Sequence, residues 1–493
     1  MKERWEPLLA ELARRKQASR EMGGTERLDR HRGAGKLDAR TRMAALFDDG
    51  VWTEIGAFAG EEGTPADGLL AGFGKVDGRP VLCGVEDVTV LGGSIGDVGA
   101  DKRYRLTQLA LQERVPLVFM LEGAGHRLTN IHPGRRPNDL QGLADLSGKV
   151  PMVCLVLGAS AGHGALTAPL SDFVVMSEQG SMFVAGPPIV KAAIGETVTK
   201  EALGGPAVHL ASGVAHNRAA DDGAAIRLAR RYLGYFPSNA WLPPPAAEPD
   251  DGPRLLEGIL ELVDPDPGRP FDMRLLLGDF ADRGSLLEIQ PEWGGALVTA
   301  LVRLGGRAVA IVANNPASGA GAVDAAAAQK AARFLTLADA FHLPVVFLTD
   351  NPGVMPGSAS ERSAALRHAA RMFAVQHGLR VPKVHVTLRK AFGFGSSLMA
   401  MNPFDGQTIS LAFPAVTLGA MPARAGADAA RLSPEEKAKA EADQAGSACA
   451  MAGKLAFDAV IDPRDLRNEL LAALALTSER GGEYVPRPGG ILP

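Results

Sequence analysis

Two short stretches of this sequence could do chemistry with their backbone alone. Ala161-Gly162-His163-Gly164 and Phe392-Gly393-Phe394-Gly395 each follow an apolar run and precede residues that can be helical. A glycine-bearing turn that opens a helix aims several unpaired amide N–H groups at one place, with the positive helix end behind them. Such a turn suits a phosphate or a developing oxyanion, where each preorganised donor is worth roughly 3–4 kcal/mol. Two of them suit a reaction that creates two negative oxygens. The plain alternative is that the glycines only permit tight strand-to-helix packing, and the matched pair weighs against it. Gly162, His163, Gly164, Gly393, Phe394 and Gly395 are therefore the candidate catalytic positions.

A competing motif overlaps the first turn. Gly158-Ala159-Ser160-Ala161-Gly162 fits G-x-S-x-G, in which Ser160 would be a hydrolase nucleophile. His209, His216, His342, His368, His377 and His385 all lie downstream as possible partners. Against this, a second copy of the segment places Ala391 where Ser160 stands and keeps the later glycines. The backbone, not the hydroxyl, is what the two copies share. Gly158, Gly162 and Gly164 do not form G-x-G-x-x-G, and every Gly-Lys pair is followed by Leu or Val, which excludes a P-loop. Cys83, Cys154 and Cys449 form no CxxC pair, so neither a zinc ribbon nor a disulfide framework is expected, and no metal site is.

The elements that position these turns come in duplicate. Gly306-Arg307 and the apolar run Val309 to Ala313 lie 228 residues beyond Gly78-Arg79 and Val81 to Val85 (307 − 79). Lys102 and Lys330, Val115 to Phe119 and Leu343 to Phe347, and the acids Glu122 and Asp350 keep that offset. Val150-Pro151 and Val381-Pro382, and the glycines 162/164 and 393/395, keep an offset of 231 (381 − 150). One short insertion accounts for the slip, so the chain reads as a tandem duplication of one α/β unit. Leu117 to Leu121, Val345 to Leu348, Val153 to Leu157 and Val384 to Leu388 are predicted buried strands, with turns starting at Gly158 and Ala391. A linker is expected from Trp241 to Pro253, where Pro-Pro-Pro is followed by Glu-Pro-Asp-Asp-Gly-Pro, giving domains 1–245 and 246–493. Residues 1–45 read as a charged helical lead. Its six Lys/Arg between Arg27 and Arg42 form either a solvated face or a dock for an acidic partner or a phosphate.

The bulk composition narrows the class. The 493 residues are too many for one ordinary core, and 46% hydrophobic with 22% charged residues is the balance of a globular protein. A net charge of −4 gives no pull toward nucleic acid. No apolar run approaches the length of a membrane span, and the first twenty residues lack a signal-like apolar core, so a cytoplasmic protein is expected.

Several stretches together resemble a known family. Asp87-Val88-Thr89-Val90-Leu91-Gly92-Gly93-Ser94 looks like D-x-T-V-x-G-G-S. Glu201 to Pro206 with His209 and Ser212-Gly213-Val214-Ala215-His216 resembles E-E-L-G-G-A…H…S-G-V-A-H. Asp350 to Gly357 resembles D-V-P-G-F-L-P-G, while Pro382-Lys383-Val384 and Arg389-Lys390-Ala391-Phe392-Gly393 resemble P-K-V and R-K-A-Y-G-G. The chain is thus similar, over nearly its whole length, to the carboxyltransferase (β) subunits of biotin-dependent acyl-CoA carboxylases, such as propionyl-CoA carboxylase, and to the α subunits of biotin-dependent decarboxylases.

That resemblance implies two tandem crotonase-like (ββα superhelix) domains, acyl-CoA held mainly by the N-terminal one and biotin by the C-terminal one. It also implies a homo-oligomer, commonly a hexamer, with sites between the N domain of one subunit and the C domain of another. Gly92, Gly93, Gly123, Ala124, Gly125, Arg127, Pro352 and Gly353 become the candidates for holding these groups. Carboxyl transfer from carboxybiotin to the α-carbon of an acyl-CoA makes an enolate on the thioester oxygen and negative charge on the ureido oxygen, which is what two oxyanion turns serve. The only Met-Lys pair is Met1-Lys2, so biotin would arrive on a biotin carboxylase or carrier partner. The chain departs from the pattern where the family has Gly-Gly-Ala: here stand Gly162-His163-Gly164 and Gly393-Phe394-Gly395, with Glu122-Gly123-Ala124-Gly125-His126-Arg127 for acid-Ser-Gly-Gly-Ala-Arg. His163 is either a spectator in solvent or a group that titrates near neutral pH. Three readings follow: acyl-CoA carboxylation; decarboxylation or biotin-independent thioester chemistry on the same fold; and a non-catalytic partner subunit.

Overall fold

The computed structural model of the chain describes residues 2–60, 63–64, 66–127, 138–248, 252–444, 448–478, 480 and 483–493. Of the expected linker, residues 249–251 lie outside the described ones. The chain forms two compact units, Met1–Leu242 with Pro486–Pro493, and Pro243–Val485. The division falls three residues before the one expected (245 − 242), and the last eight residues belong to the first unit, not to the second. Ser147 fixes them there, since its Oγ donates to the Ile491 carbonyl at 2.8 Å and accepts from the Ile491 amide at 2.8 Å.

The first unit holds β1 (Trp52–Ile55), β2 (Leu69–Val76), β3 (Arg79–Glu86), β4 (Leu117–Gly123), β5 (Met152–Ala161), β6 (Phe173–Ser177), β7 (Ser181–Phe183) and β8 (Asn217–Ala219). Their order in the sheet is β1-β2-β3-β4-β5-β6-β8, with β7 beside β5. The second unit repeats this with β9 (Leu287–Ile289), β10 (Leu297–Leu304), β11 (Arg307–Asn314), β12 (Val345–Asn351), β13 (Lys383–Phe392), β14 (Ile409–Ala412), β15 (Thr417–Gly419) and β16 (Ala459–Val460). Its order is β9-β10-β11-β12-β13-β14-β16, with β15 beside β13. In each sheet the first pairings are antiparallel and the rest parallel, as in β3–β4 and β11–β12. Strands that open on an apolar run, such as Leu117–Gly123 and Val345–Asn351, are buried along their whole length, polar ends included, as parallel strands covered on both faces must be.

The α/β class and the tandem crotonase-like repeat are thus present, and the offsets run finer than the sequence match. A register shift follows Leu121 on β4 and Thr349 on β12, 228 residues apart (349 − 121). Single bridges Ile95–His126 and Val323–Val354 repeat at the same spacing. The helices Asp97–Glu113 and Ala325–Ala340 also correspond, and Lys102 and Lys330 lie inside them. Each lysine is buried and clamps backbone: Lys102 Nζ donates to the Ala66 carbonyl at 2.8 Å and to Leu69, and Lys330 Nζ donates to Trp293 at 2.7 Å. Burial lowers both amines to about 8.

One expectation about the strands needs correction. Gly158 does not start a turn, because β5 runs through it to Ala161. Residues 153–156 pair with β6, the strand bends, and residues 159–161 pair with β7. Likewise Ala391 lies inside β13 and not in a turn. The helices that follow are also short, Thr167–Leu170 and Gly393–Leu398, so little dipole stands behind the turns. Among the described residues no helix is long and apolar enough to cross a membrane.

His385 on β13 is fully buried, with Nδ1 at 2.8 Å from the Met399 carbonyl and Nε2 at 2.7 Å from Thr387 Oγ1. Burial holds the ring neutral down to about 4. The unfolded chain takes up this proton near 6.5, so stability should fall as pH drops from about 6.5 to 4, by roughly 3 kcal/mol in all. Urea titrations across that window should show the slope, and His385→Gln should flatten it.

Candidate active site

The carboxyl ends of the parallel strands in each unit carry the candidate residues, where open α/β sheets bind ligands. In the first unit Gly92 and Gly93 sit in the single turn Leu91–Gly93 after β3, and Gly93 has φ 61°. A Cβ on Gly93 would lie 2.5 Å from the Glu122 carbonyl, and one on Gly123 would strike the Gly93 carbonyl. The Ala124 amide donates to Gly92 at 3.0 Å. A Cβ on Gly125, at φ 80°, would lie 2.6 Å from the Ala161 carbonyl. The loops after β3, β4 and β5 therefore stack backbone on backbone, which only glycine permits here. This brings Gly92, Gly93, Gly123, Ala124, Gly125, Gly162, His163 and Gly164 into one neighbourhood.

The hydrogen bonds then show which amides are left. Gly162 donates to Phe183 at 2.9 Å, so it is not a free donor. The amides of Gly125, His163 and Gly164 make no hydrogen bond among the described residues. Arg127 is already committed, its guanidinium bonded to Asp67 and, at 2.9 Å, to the Ser94 carbonyl, so it braces the loop and offers no free charge. In the second unit Gly395 packs on Gly353, where a Cβ would lie 2.6 Å from the Gly353 carbonyl carbon. Gly353 donates to Asn351 Oδ1 at 3.0 Å, following Pro352 at the end of β12. The amides of Phe394 and Gly395 are unpaired among the described residues, and the Phe394 side chain is half exposed.

Charge around the first-unit turn was not visible in the sequence. Glu122 pairs with Lys36 at 2.5 Å and with Arg42 at 2.6 Å, while Arg42 also reaches Asp222 at 2.8 Å. Burial works to raise the Glu122 carboxyl, but the Arg42 and Lys36 charges outweigh it and hold it below its ordinary range. The basic lead is therefore largely matched within its own chain: Arg30 to Glu26, Arg32 to Asp38 and Arg40 to Glu54. Arg27, Arg30, His31 and Lys36 also line a cavity of about 600 Å³ with Thr89 and Gly92. The corresponding acid of the second unit, Asp350, is instead held by Arg389 of β13 at 2.7 Å, whose guanidinium also donates to Asp264, Asp266 and Arg269 carbonyls.

His163 is not in solvent. Its ring is 14% exposed, with Nε2 2.5 Å from Asp139 Oδ1. Asp139 Oδ2 accepts from Arg103 Nε at 2.7 Å, and Arg103 also reaches Glu86 at 3.1 Å and Thr167 Oγ1 at 2.5 Å. Burial works to raise Asp139, but the His163 hydrogen bond and the Arg103 charge hold it at about 2. Burial pushes Glu86 up against the pull of Arg103. A signal for this network did exist: at the duplicate positions of Glu86 and Arg103 stand Asn314 and Ala331, an unequal exchange at equal offset.

Ser160 lies within β5, fully buried, and its Oγ has no hydrogen-bond partner among the described residues. His209 Nε2 is taken by the Met182 carbonyl at 2.7 Å, and His216 Nδ1 accepts from the Val174 amide at 2.8 Å. Among the described residues no elbow or triad forms around Ser160. Ser160→Ala should leave activity within about twofold and stability unchanged or slightly raised, since it removes an unsatisfied buried hydroxyl. An inactive but folded variant, by circular dichroism and turnover, would restore the hydrolase reading.

Comparison with known proteins places this geometry. The model of the carboxyl transferase domain matches residues 30–487. The propionyl-CoA carboxylase beta chain of Roseobacter denitrificans is 32% identical, over 95% of this chain and 96% of its own. The methylmalonyl-CoA decarboxylase subunit alpha of Veillonella parvula is 31% identical, over 96% of each. The crystal structure of a transcarboxylase 12S hexamer, with methylmalonyl-coenzyme A and methylmalonic acid bound, superposes with a TM-score of 0.91 at 32% identity, covering 99% of each chain.

Proposed function

From the premise that the chain belongs to the carboxyl transferase family of biotin-dependent acyl-CoA carboxylases, we propose that it moves a carboxyl group to or from the α-carbon of an acyl-CoA. The observation that carries this is the set of amides left unpaired at the ends of β4, β5 and β13. The amides of His163 and Gly164 would hold the thioester oxygen as it gains charge, with that of Gly125 beside them. Those of Phe394 and Gly395 would take the ureido oxygen of biotin, which is carried on a partner protein and supplies or accepts the carboxyl group. Gly92, Gly93, Gly123 and Ala124 line the approach to the first turn, and Pro352 and Gly353 back the second. In the cavity beside Gly92, where Glu122 holds Lys36, Arg27 and Arg30 at the edge would meet the phosphates of coenzyme A.

In this mechanism the protein supplies fixed dipoles more than side-chain acids. The turns are rigid because their glycines lock three loops together, so the donors do not reorganise when charge develops. A homo-oligomer, as the hexameric relative forms, and a separate biotin carboxylase or carrier are the expected partners.

The test is exchange of labelled carboxylate between biotin and a panel of acetyl-, propionyl- and longer acyl-CoA. Transfer dependent on one class of thioester is expected. Gly164→Pro, which deletes one N–H, should lower kcat by about 10²-fold or more with little change in KM. No transfer with any acyl-CoA would overturn the proposal and favour a non-catalytic partner subunit.

A further inference from the structure

The charged network around His163 exists in one unit only. Both units keep the glycine turn, the strand that leads into it and the helix that packs behind it. At the offsets of the duplication, Glu86 corresponds to Asn314, Arg103 to Ala331, His163 to Phe394 and Thr167 to Leu398. The helices Asp139–Leu146 and Ala365–His377 end in register at the offset of 231 (377 − 146), which sets Asp139 opposite Ala370. The second unit therefore builds the same scaffold with none of these charges. Its turn folds with a phenyl ring in place of the imidazole. The network is not something the fold requires, and burying two carboxylates, a guanidinium and an imidazole costs desolvation that apolar packing avoids.

What the network does is fix one ring. Arg103 is anchored by Glu86 and Thr167 and holds Asp139; Asp139 holds His163 Nε2. The His126 ring stands edge-on against it, with centroids 4.9 Å apart. An ionised carboxylate at Nε2 selects the tautomer with its proton there, which leaves the Nδ1 lone pair available as a base. Nδ1 makes no hydrogen bond among the described residues, and it is not one of the fully buried unpaired atoms. The same residue supplies one of the unpaired amides. A base and the donors for the oxygen it would charge thus belong to one turn, which is the pairing needed to ionise a carbon next to a carbonyl.

We infer that the His163 imidazole, held by Asp139, takes the α-proton from the bound acyl thioester and returns it. The inference rests on the acyl-CoA reading above and adds a side-chain base to it. Nδ1 accepts the proton, the C–H bond breaks, and its electron pair becomes the enolate whose oxygen the His163 and Gly164 amides hold. Reprotonation from the same nitrogen reverses the step, so no co-reactant is consumed. Asp139 and Arg103 are positioning residues in this scheme.

The experiment is deuterium wash-in, in D2O, at the α-carbon of the acyl-CoA that the panel selects, with no biotin present, read by mass spectrometry beside calorimetric binding of the same thioester. The wild-type chain should incorporate deuterium. His163→Phe, the residue that the second unit carries at this position, and His163→Ala should each lower the rate by about 10²-fold or more while binding is retained. Added imidazole should restore part of the rate in His163→Ala. Asp139→Asn should lower kcat for exchange with KM unchanged, which loss of fold alone would not produce. A bound acyl-CoA that exchanges carboxylate but no deuterium, or deuterium exchange that survives in His163→Phe, overturns the inference and leaves the family reading intact. Failure of every acyl-CoA of the panel to exchange carboxylate removes the functional reading and this inference with it.

Discussion

The close approach of three loops at the strand ends is the constraint on which the rest depends. Gly93 against the Glu122 carbonyl, Gly125 against that of Ala161, and Gly395 against Gly353 each leave no room for a side chain. With the loops locked this way, carbonyls such as those of Gly92 and Phe183 find partners inside the stack while the amides of His163 and Gly164 do not. A site made of unpaired donors is stable only because packing elsewhere holds the backbone open. The unpaired donors are thus a by-product of how tightly the glycines let the chain pack, repeated once in each half.

The two halves solve one electrostatic problem differently. An acid stands one residue before the end of the central strand in both, Glu122 and Asp350, and both are buried. At the position of Arg389 the first unit has Gly158, and the space its missing side chain leaves is filled by the Glu122 carboxylate. The cations for Glu122 come instead from the lead, through Lys36 and Arg42. Removing one partner from such a buried pair strands a charge and costs about 3–5 kcal/mol. That explains why Lys36 and Arg42 turn inward, while Arg30 and Arg32 of the same basic stretch stay on the solvated face.

The duplication was legible because apolar runs, Gly-Arg turns and the paired lysines keep their spacing, and spacing is what parallel strands and their crossover helices impose. The glycine turns were legible for the same reason. The continuation of β5 past Gly158 was not, because the bend depends on β6 and β7, which lie beyond it in the chain and pair with different parts of the strand. The partners of His163 were hidden too. Arg103 sits 64 residues from Thr167 and 36 from Asp139, and local patterns carry no sign of such contacts. Comparing the halves position by position, and not each motif with a family pattern, is what exposes them.

The closing residues, Pro486–Pro493, pack with a unit built from the first 242. On a ribosome the first unit can gather its sheet early, yet the Ser147 hydroxyl waits for Ile491 until the whole of the second unit has emerged. Translation order and folding order therefore diverge: the half made first is finished last. A premature stop just after Val485 would release a chain whose second unit is entire and whose first is left unfastened.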